Sequence, residues 1–385
     1  PLRKGRKPRG GKEKNVKERK FTRRAFATFM AGFLGLSLVG GLAGCGTSNS
    51  SAPAATTEAT TRTITDSCGR EVEIPTDVER IVPSGPLAQQ VLLTIAPEKL
   101  CGLSKGLGDT AKYFPDAPSD LPELGQIYGG KGDLNKEAVV DAAPDFIIDV
   151  GEAKPTIKED MDELQDQLGI PCIHIESSLS TYGEAYKQLG DILGKQNRGN
   201  ELADYCKSAY DEVTSVVNNI PESERPTVAY LLGDAGLNAI AKGSFQGGAV
   251  DLVANNAIVV DKAPGSGMGN EVSLEEIAKA NPQMIVFASG SIYDTVGSDP
   301  AWADIAAIKD GNYYQAPSSP FNWLSGPPSV NQVLGMQWLS RICYPDKFDT
   351  SATDVAKKYY KTFYNYDLSD EEIQTVMAGA LPKSN

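Results

Sequence analysis

The 385-residue sequence holds one histidine, His174, and six cysteines, no two of them in a C-x-x-C pair. A zinc-type cluster needs several such ligands together, so this chain has no such signature. A site for bare zinc or manganese would want several histidines and is disfavoured on the same count. There is no Gly-x-Ser-x-Gly, and a nucleophilic hydrolase needs a base that a lone histidine inside Ile173-His174-Ile175 does not offer. Gly265-Ser266-Gly267-Met268-Gly269 has the glycine content of a phosphate loop. No Lys-Ser/Thr follows it and no strand leads into it, so it reads as a flexible loop. Basic charge is scarce outside the head of the chain. Of 37 basic and 50 acidic residues, 12 and 2 fall in residues 1–44, which leaves 25 against 48, a balance of −23 for the remainder. An acidic body argues against nucleic acid as a partner.

A long apolar run is missing too. Phe26 to Leu42 is apolar, but it is too short and too glycine-rich for a good membrane-spanning helix. With the basic stretch before it, it reads as an export signal over residues 1–45. Thr22-Arg23-Arg24-Ala25-Phe26 resembles a twin-arginine signal, and Leu42-Ala43-Gly44-Cys45 resembles a lipobox. Cys45 is then the expected lipidation site and mature N-terminus. The Ser/Thr/Ala-rich stretch 46–61 suits a flexible tether. The expected location is the outer face of the cytoplasmic membrane. Cys68, Cys101, Cys172, Cys206 and Cys343 remain; being odd in number they cannot all pair, and free buried thiols are expected, with a Cys68–Cys101 bridge left open.

What is present is organised around Gln196–Ile220. Its apolar residues Leu202, Cys206, Ala209, Val213, Val216 and Ile220 recur at intervals of three and four, one face of a helix that Pro221 stops. Before it, residues 62–195 alternate strand and helix. They read as a hairpin at 63–74, strands at 79–83, 99–104, 146–150 and 170–175, and helices at 87–95, 135–142 and 156–168. After it, residues 221–385 give strands at 227–232, 237–241, 257–260 and 313–316, and helices at 248–255, 330–343, 353–364 and 370–380. This alternation predicts mostly parallel sheets covered by helices. EVSLEEIAKANPQMIVF echoes DLNKEAVVDAAPDFIID: Glu137 lies seven residues before Pro144 and Glu275 seven before Pro282. Two related α/β lobes held apart by a stiff helix are expected.

TITDSCGREVEIPTDVERIV, then a helix, then KLCGLS, then EAVVDAAPDFIID resembles the periplasmic-binding family of ABC importers for iron complexes and vitamin B12. The resemblance covers roughly residues 62–365 and implies an α/β fold of two Rossmann-like lobes, with mostly parallel sheets, joined by a single long interlobe helix. It implies a monomer without enzymatic activity or cofactor, whose partners are an ABC permease with its ATPase and a small-molecule metal complex, with the membrane reached through the lipid anchor. It also implies that Glu137 and Glu275 dock on the permease, one on each lobe, with Glu276 leaving the register open by one residue.

A cleft between lobes would be lined from loops. The candidates are Pro83, Ser84, Tyr113, Tyr128 and Gly151 in the first lobe, and Ser244, Phe245, Ser289, Tyr293, Phe321, Asn322 and Trp323 in the second. Aromatic groups at a cleft suit a macrocyclic or planar ligand. Ferric siderophore, haem and corrinoid all fit. An oxyanion such as molybdate or tungstate, held by backbone N–H and hydroxyl groups, stays open. Arg80 and Arg341 read as structural. An exported enzyme or an adhesin on the same scaffold is the alternative.

Overall fold

The computed structural model describes residues 60–127, 133–261 and 269–382. The export signal, Cys45, the tether up to residue 59, Tyr128 and the loop at 265–268 lie outside the described residues.

The first half opens with an antiparallel hairpin, β1 (Thr61–Thr65) and β2 (Glu71–Pro75). Asp66 closes its turn, accepting from the backbone N–H groups of Cys68 and Arg70. Then come β3 (Ile81–Pro83), α1 (Pro86–Ile95), α2 (Lys136–Ala142), β4 (Phe146–Gly151), α3 (Ile157–Leu168), β5 (Cys172–Glu176) and α4 (Tyr182–Leu193). The sheet runs β3-β4-β5, all parallel. The strand expected at 99–104 is absent. Pro97–Lys99 is a 3-10 turn, and Leu100 and Leu103 each make only an isolated bridge, to Ile81 and Glu123. Helix α4 escaped the sequence reading altogether.

Helix α5 (Gln196–Val217) follows, and the second half begins with β6 (Thr227–Leu232). Next come β7 (Asn238–Ala239), α6 (Gly248–Val253), β8 (Asn255–Asn256), β9 (Asn270–Glu271), α7 (Leu274–Ala280) and β10 (Met284–Phe287). The short α8 (Tyr293–Val296) and α9 (Ala306–Lys309), β11 (Tyr313–Gln315), α10 (Asn331–Cys343), α11 (Ala352–Tyr364) and α12 (Asp370–Val376) close the chain. The sheet runs β11-β10-β6-β7-β9, with β8 also on β6; β8, β10 and β11 are parallel to their neighbours, while β7 and β9 are antiparallel. The strand expected at 257–260 sits two residues earlier, as β8.

Alternate residues of each sheet serve different cores, as the two-residue period of a strand requires. Val82, Ile147 and Cys172 face an outer core under α2 and α3. Ala229, Leu231, Ile285 and Phe287 face a second outer core under α7 and α9. The opposite faces, Phe146 and Ile148 in one sheet and Tyr230 and Val286 in the other, share a single inner core with α1, α4, α5, α10 and α11. The two halves are thus packed through common helices, α5 among them.

Helix α5 packs on α4 and α1 from the first half and on α6 and α10 from the second. It buries Gly199, Leu202, Ala203, Cys206, Ala209, Val213 and Val217. Val217, not Val216, is the last core position. Full burial of each Leu or Val stabilises by about 1.5–3 kcal/mol. The helix ends at Val217, short of Ile220, and Arg225, beyond Pro221, donates to the carbonyls of Val217 (3.0 Å) and Ile220 (3.2 Å), satisfying acceptors that a helix end leaves open. Gly199 lies inside the helix at its crossing with α4. A Cβ there would sit 2.6 Å from the Tyr186 carbonyl oxygen.

Candidate functional site

In a parallel α/β sheet the segments leaving the carboxyl ends of the strands form the binding edge. Here those segments meet across the two halves. Ser329 Oγ, just before α10, donates to the Leu87 carbonyl at the start of α1 (2.9 Å). Tyr113 and Ser319 hydroxyls lie 3.1 Å apart, and the rings of Phe114 and Phe321 are 5.9 Å apart. A side chain added at Gly248 would meet Leu179, which follows β5, at 3.6 Å. These contacts trace one seam from both halves.

Along it the anticipated residues take different places. Pro83 ends β3, and Ser84 is buried, its hydroxyl donating to Asp149 Oδ1. Gly151 ends β4 with φ 145°, a conformation open chiefly to glycine. Tyr113 is buried in a cage of Tyr360, Tyr364 and Tyr366, with centroids 4.8–6.2 Å away. Phe321 and Asn322 are half-buried at the seam, and Asn322 Oδ1 is engaged by the backbone N–H groups of Leu324 and Ser325. The Trp323 ring is 1% exposed and faces Trp338, so it belongs to the core. Ser244 caps a 3-10 turn at Phe245–Gly247 and is half-buried, as is Phe245. Ser289 is exposed after β10. Tyr293 packs on Tyr313 and lines the second outer core. The seam thus gathers Tyr113 and Phe321, with Asn322 next to Phe321 in sequence, while Ser84 is turned to Asp149 within the first half and Tyr293 lies away from the seam.

Sequence reasoning missed Phe114, Ser319, the tyrosines of α11 and Tyr366 just beyond it. The spacing Tyr360, Tyr364, Tyr366 was the available signal. It was read only as a closing helix, because nothing in sequence says that α11 returns to the first half.

The polar line Ser84–Asp149–His174 crosses β3, β4 and β5 at their carboxyl ends. His174 is fully buried, and its Nδ1–H donates to Asp149 Oδ2 at 2.7 Å. The serine bonds the carboxylate rather than the imidazole, so the histidine cannot take its proton. Thiol chemistry is equally disfavoured. Burial pushes Cys68 up to about 11 and both Cys172 and Cys343 up to about 12, so these thiols stay protonated at neutral pH. All five described cysteines are free, and the Cys68–Cys101 bridge is not formed. Among the described residues no group of three or more His, Cys, Asp or Glu side chains is placed to hold a metal ion.

Each described arginine is committed to protein groups. Arg62 donates to the carbonyls of Asp191 and Ile192, and Arg80 to those of Ala142 and Ala143. Arg70 binds Asp66, Asp162 and the Cys172 carbonyl. Arg198 reaches the carbonyls of Thr94 and Phe363, and Arg341 pairs with Glu212 at 2.6 Å. With Arg225 already engaged at the end of α5, Arg80 and Arg341 are structural, as expected.

The repeated motif is a structural repeat. Helices α2 and α7 are each seven residues long and end in a left-handed non-glycine residue, Ala143 or Asn281, before Pro. The next residue then clamps the adjacent strand's start: Asp145 Oδ2 accepts from the N–H groups of Glu79 and Arg80, and Gln283 Oε1 from that of Thr227. Glu137 and Glu275 are both the second helical residue and both exposed. Glu276 is occupied in a capping box with Ser273. A groove of about 570 Å³ lies elsewhere, on the outside of the first half by Arg80, Lys99 and Asp141.

A family model described as periplasmic binding protein matches residues 101–320. An uncharacterized ABC transporter substrate-binding lipoprotein, YvrC of Bacillus subtilis, is 22% identical over 80% of this chain and 94% of its own. The Fe(3+)-citrate-binding protein YfmC of the same organism is 24% identical over 60% of this chain and 66% of its own. Among solved structures, an ABC transporter solute binding protein from Sulfurospirillum deleyianum superposes with a TM-score of 0.76 at 29% identity, covering 82% of this chain and 98% of that one.

Proposed function

Given that this chain belongs to the periplasmic binding protein family, whose members are substrate-binding components of ABC importers rather than enzymes, we propose that it captures a metal complex, a ferric siderophore, haem or a corrinoid, and delivers it to its permease. The observation that carries this reading is the seam. Loops from the carboxyl ends of both sheets meet there, with Tyr113 and Phe114 from one half opposite Ser319 and Phe321 from the other. The half-buried Phe321 and Asn322 at that seam, with hydroxyl groups beside them, suit a chelate with an organic periphery. The Fe(3+)-citrate-binding relative supports an iron complex as cargo.

In this reading Cys45 carries the lipid and holds the protein at the outer face of the cytoplasmic membrane, and the tether gives it reach. Among the described residues no helix is long and apolar enough to cross a membrane. Glu137 and Glu275 serve as paired docking points for the permease. Their support is the repeat itself, which gives both carboxylates the same place on matching helices, with Glu276 engaged in its cap. The test is the absorbance and metal content of protein purified from its native host. A metal-bound chromophore is expected, and protein that remains colourless and metal-free under iron and cobalamin sufficiency would overturn the reading.

A further inference from the structure

We infer that the complex carried in the seam has a net charge near zero and is gripped by hydroxyl, amide and aromatic groups rather than by ion pairs. This rests on the metal-complex reading above. A polyanionic chelate buried between two protein walls must exchange its hydration for positively charged donors, guanidinium above all. Among the described residues every arginine is already bound to a backbone carbonyl or a carboxylate. Lys112, next to Tyr113 at the seam, pairs with Glu372 at 3.2 Å. Lys154, on the loop leaving β4, is half-buried; burial lowers its pKa, and the charges of Asp149, Glu152 and Asp160 oppose that. The segments leaving the strands carry Ser84, Ser177, Ser289 and Ser319, with Asn322 beside them, and the acids Glu152 and Glu176. A second, independent observation points the same way. The chain beyond residue 44 carries 25 basic against 48 acidic residues, −23 in all, a field that repels an approaching anion.

The physical consequence is a ligand recognised by shape and neutral hydrogen bonds. Its affinity then hardly responds to ionic strength, because no pair of full charges is made on binding. The experiment is isothermal titration of the purified protein at low and high NaCl. The probes are ferrichrome (a neutral ferric trihydroxamate), cyanocobalamin, a triply anionic ferric tris-catecholate, ferric citrate and molybdate. At least one neutral probe is expected to bind, with Kd changing by less than about twofold across the salt range. The anionic probes are expected to bind at least ~100-fold more weakly, since uncompensated charge in a buried site is strongly disfavoured. Lys154→Gln should leave the neutral probe's Kd unchanged. Tight, salt-sensitive binding of the tris-catecholate, citrate complex or molybdate, or a tenfold loss in Lys154→Gln, overturns the charge inference. It leaves the importer reading standing. Failure of every metal complex, neutral or anionic, to bind overturns the metal-complex reading itself.

Discussion

Gly199→Ala sets two effects against each other, and the geometry decides between them. Helix α5 should gain from the exchange, because alanine favours an interior helical position over glycine by about 1 kcal/mol. Against that stands the crossing with α4. The new Cβ would lie 2.6 Å from the Tyr186 carbonyl oxygen and 2.9 Å from the Gly190 Cα. Both are backbone atoms, so no side chain can swing away. Nor can α4 retreat easily, because the Tyr186 ring is fully buried and its hydroxyl is 2.7 Å from Thr94 Oγ1. Overpacking of this kind costs about 1–3 kcal/mol, and contact with rigid backbone puts it toward the upper end. The net effect is a loss of about 1–2 kcal/mol, or roughly 1–3 °C in Tm for a domain of this size. Gly183→Ala, in the same helix α4, is the control: its nearest neighbour would be the Ala203 carbonyl oxygen at 3.4 Å, an ordinary contact. That variant should match or slightly exceed the parent. Thermal unfolding followed by circular dichroism measures both. A Gly199→Ala protein as stable as Gly183→Ala would refute the argument that close approach of the two helices requires this glycine.

If Glu137 and Glu275 dock on the permease as proposed, Glu137→Ala combined with Glu275→Ala should leave ligand affinity unchanged and abolish uptake by cells; normal transport, or equal loss of ligand binding, would sink that role. Cys45→Ser should move the protein from the membrane fraction to the soluble exported fraction, and a variant that stays with the membrane would remove the lipid anchor from the account. Glu372 accepts from the Tyr366 hydroxyl first, then from the Ser369 N–H and Lys112, which hold its carboxyl down at about 2. A depressed folded-state value contributes stability that is present above the ordinary 4.5 and lost as pH falls toward about 2. NMR titration of Tyr366→Phe should find Glu372 shifted back up toward 4.5; an unchanged titration would show that the tyrosine is not the cause.

Much of the frame was legible because its signals are local. The period-two alternation of β1 and β2, the apolar stripe of α5 and the helix–Pro–strand repeat each depend on residues near in sequence. Asn135 and Ser273, before their helices, are side-chain caps as such residues should be. What could not be read depends on distant partners. Lys99–Ser104 has the apolar content of a strand, yet only Leu100 and Leu103 find a neighbour, one bridge each. Val217 rather than Val216 is buried because the buried face of α5 is set by the helices packed on it, α4, α1, α6 and α10. Trp323 is expected at the cleft with the other loop aromatics. Its ring turns inward, where its N–H donates to the Ser319 carbonyl at 3.2 Å. The seam itself was anticipated only as loops of a given kind. That Tyr113 meets α11 is a fact of topology with no counterpart in local pattern.

The inner core that serves both sheets has a consequence for how the chain comes into being. Helix α1 rests on α11, the Tyr186 ring meets that of Phe363 at 6.1 Å, and Arg198 bridges Thr94 to Phe363. The first half therefore cannot finish burying its apolar surface until nearly the last residues have left the ribosome. Contacts that distant make folding slow and leave a partly made chain exposed. Such a molecule gains little from threading across a membrane while half-built. If the chain is exported as expected from its head, a route that carries the folded protein would suit it better than one that threads it unfolded.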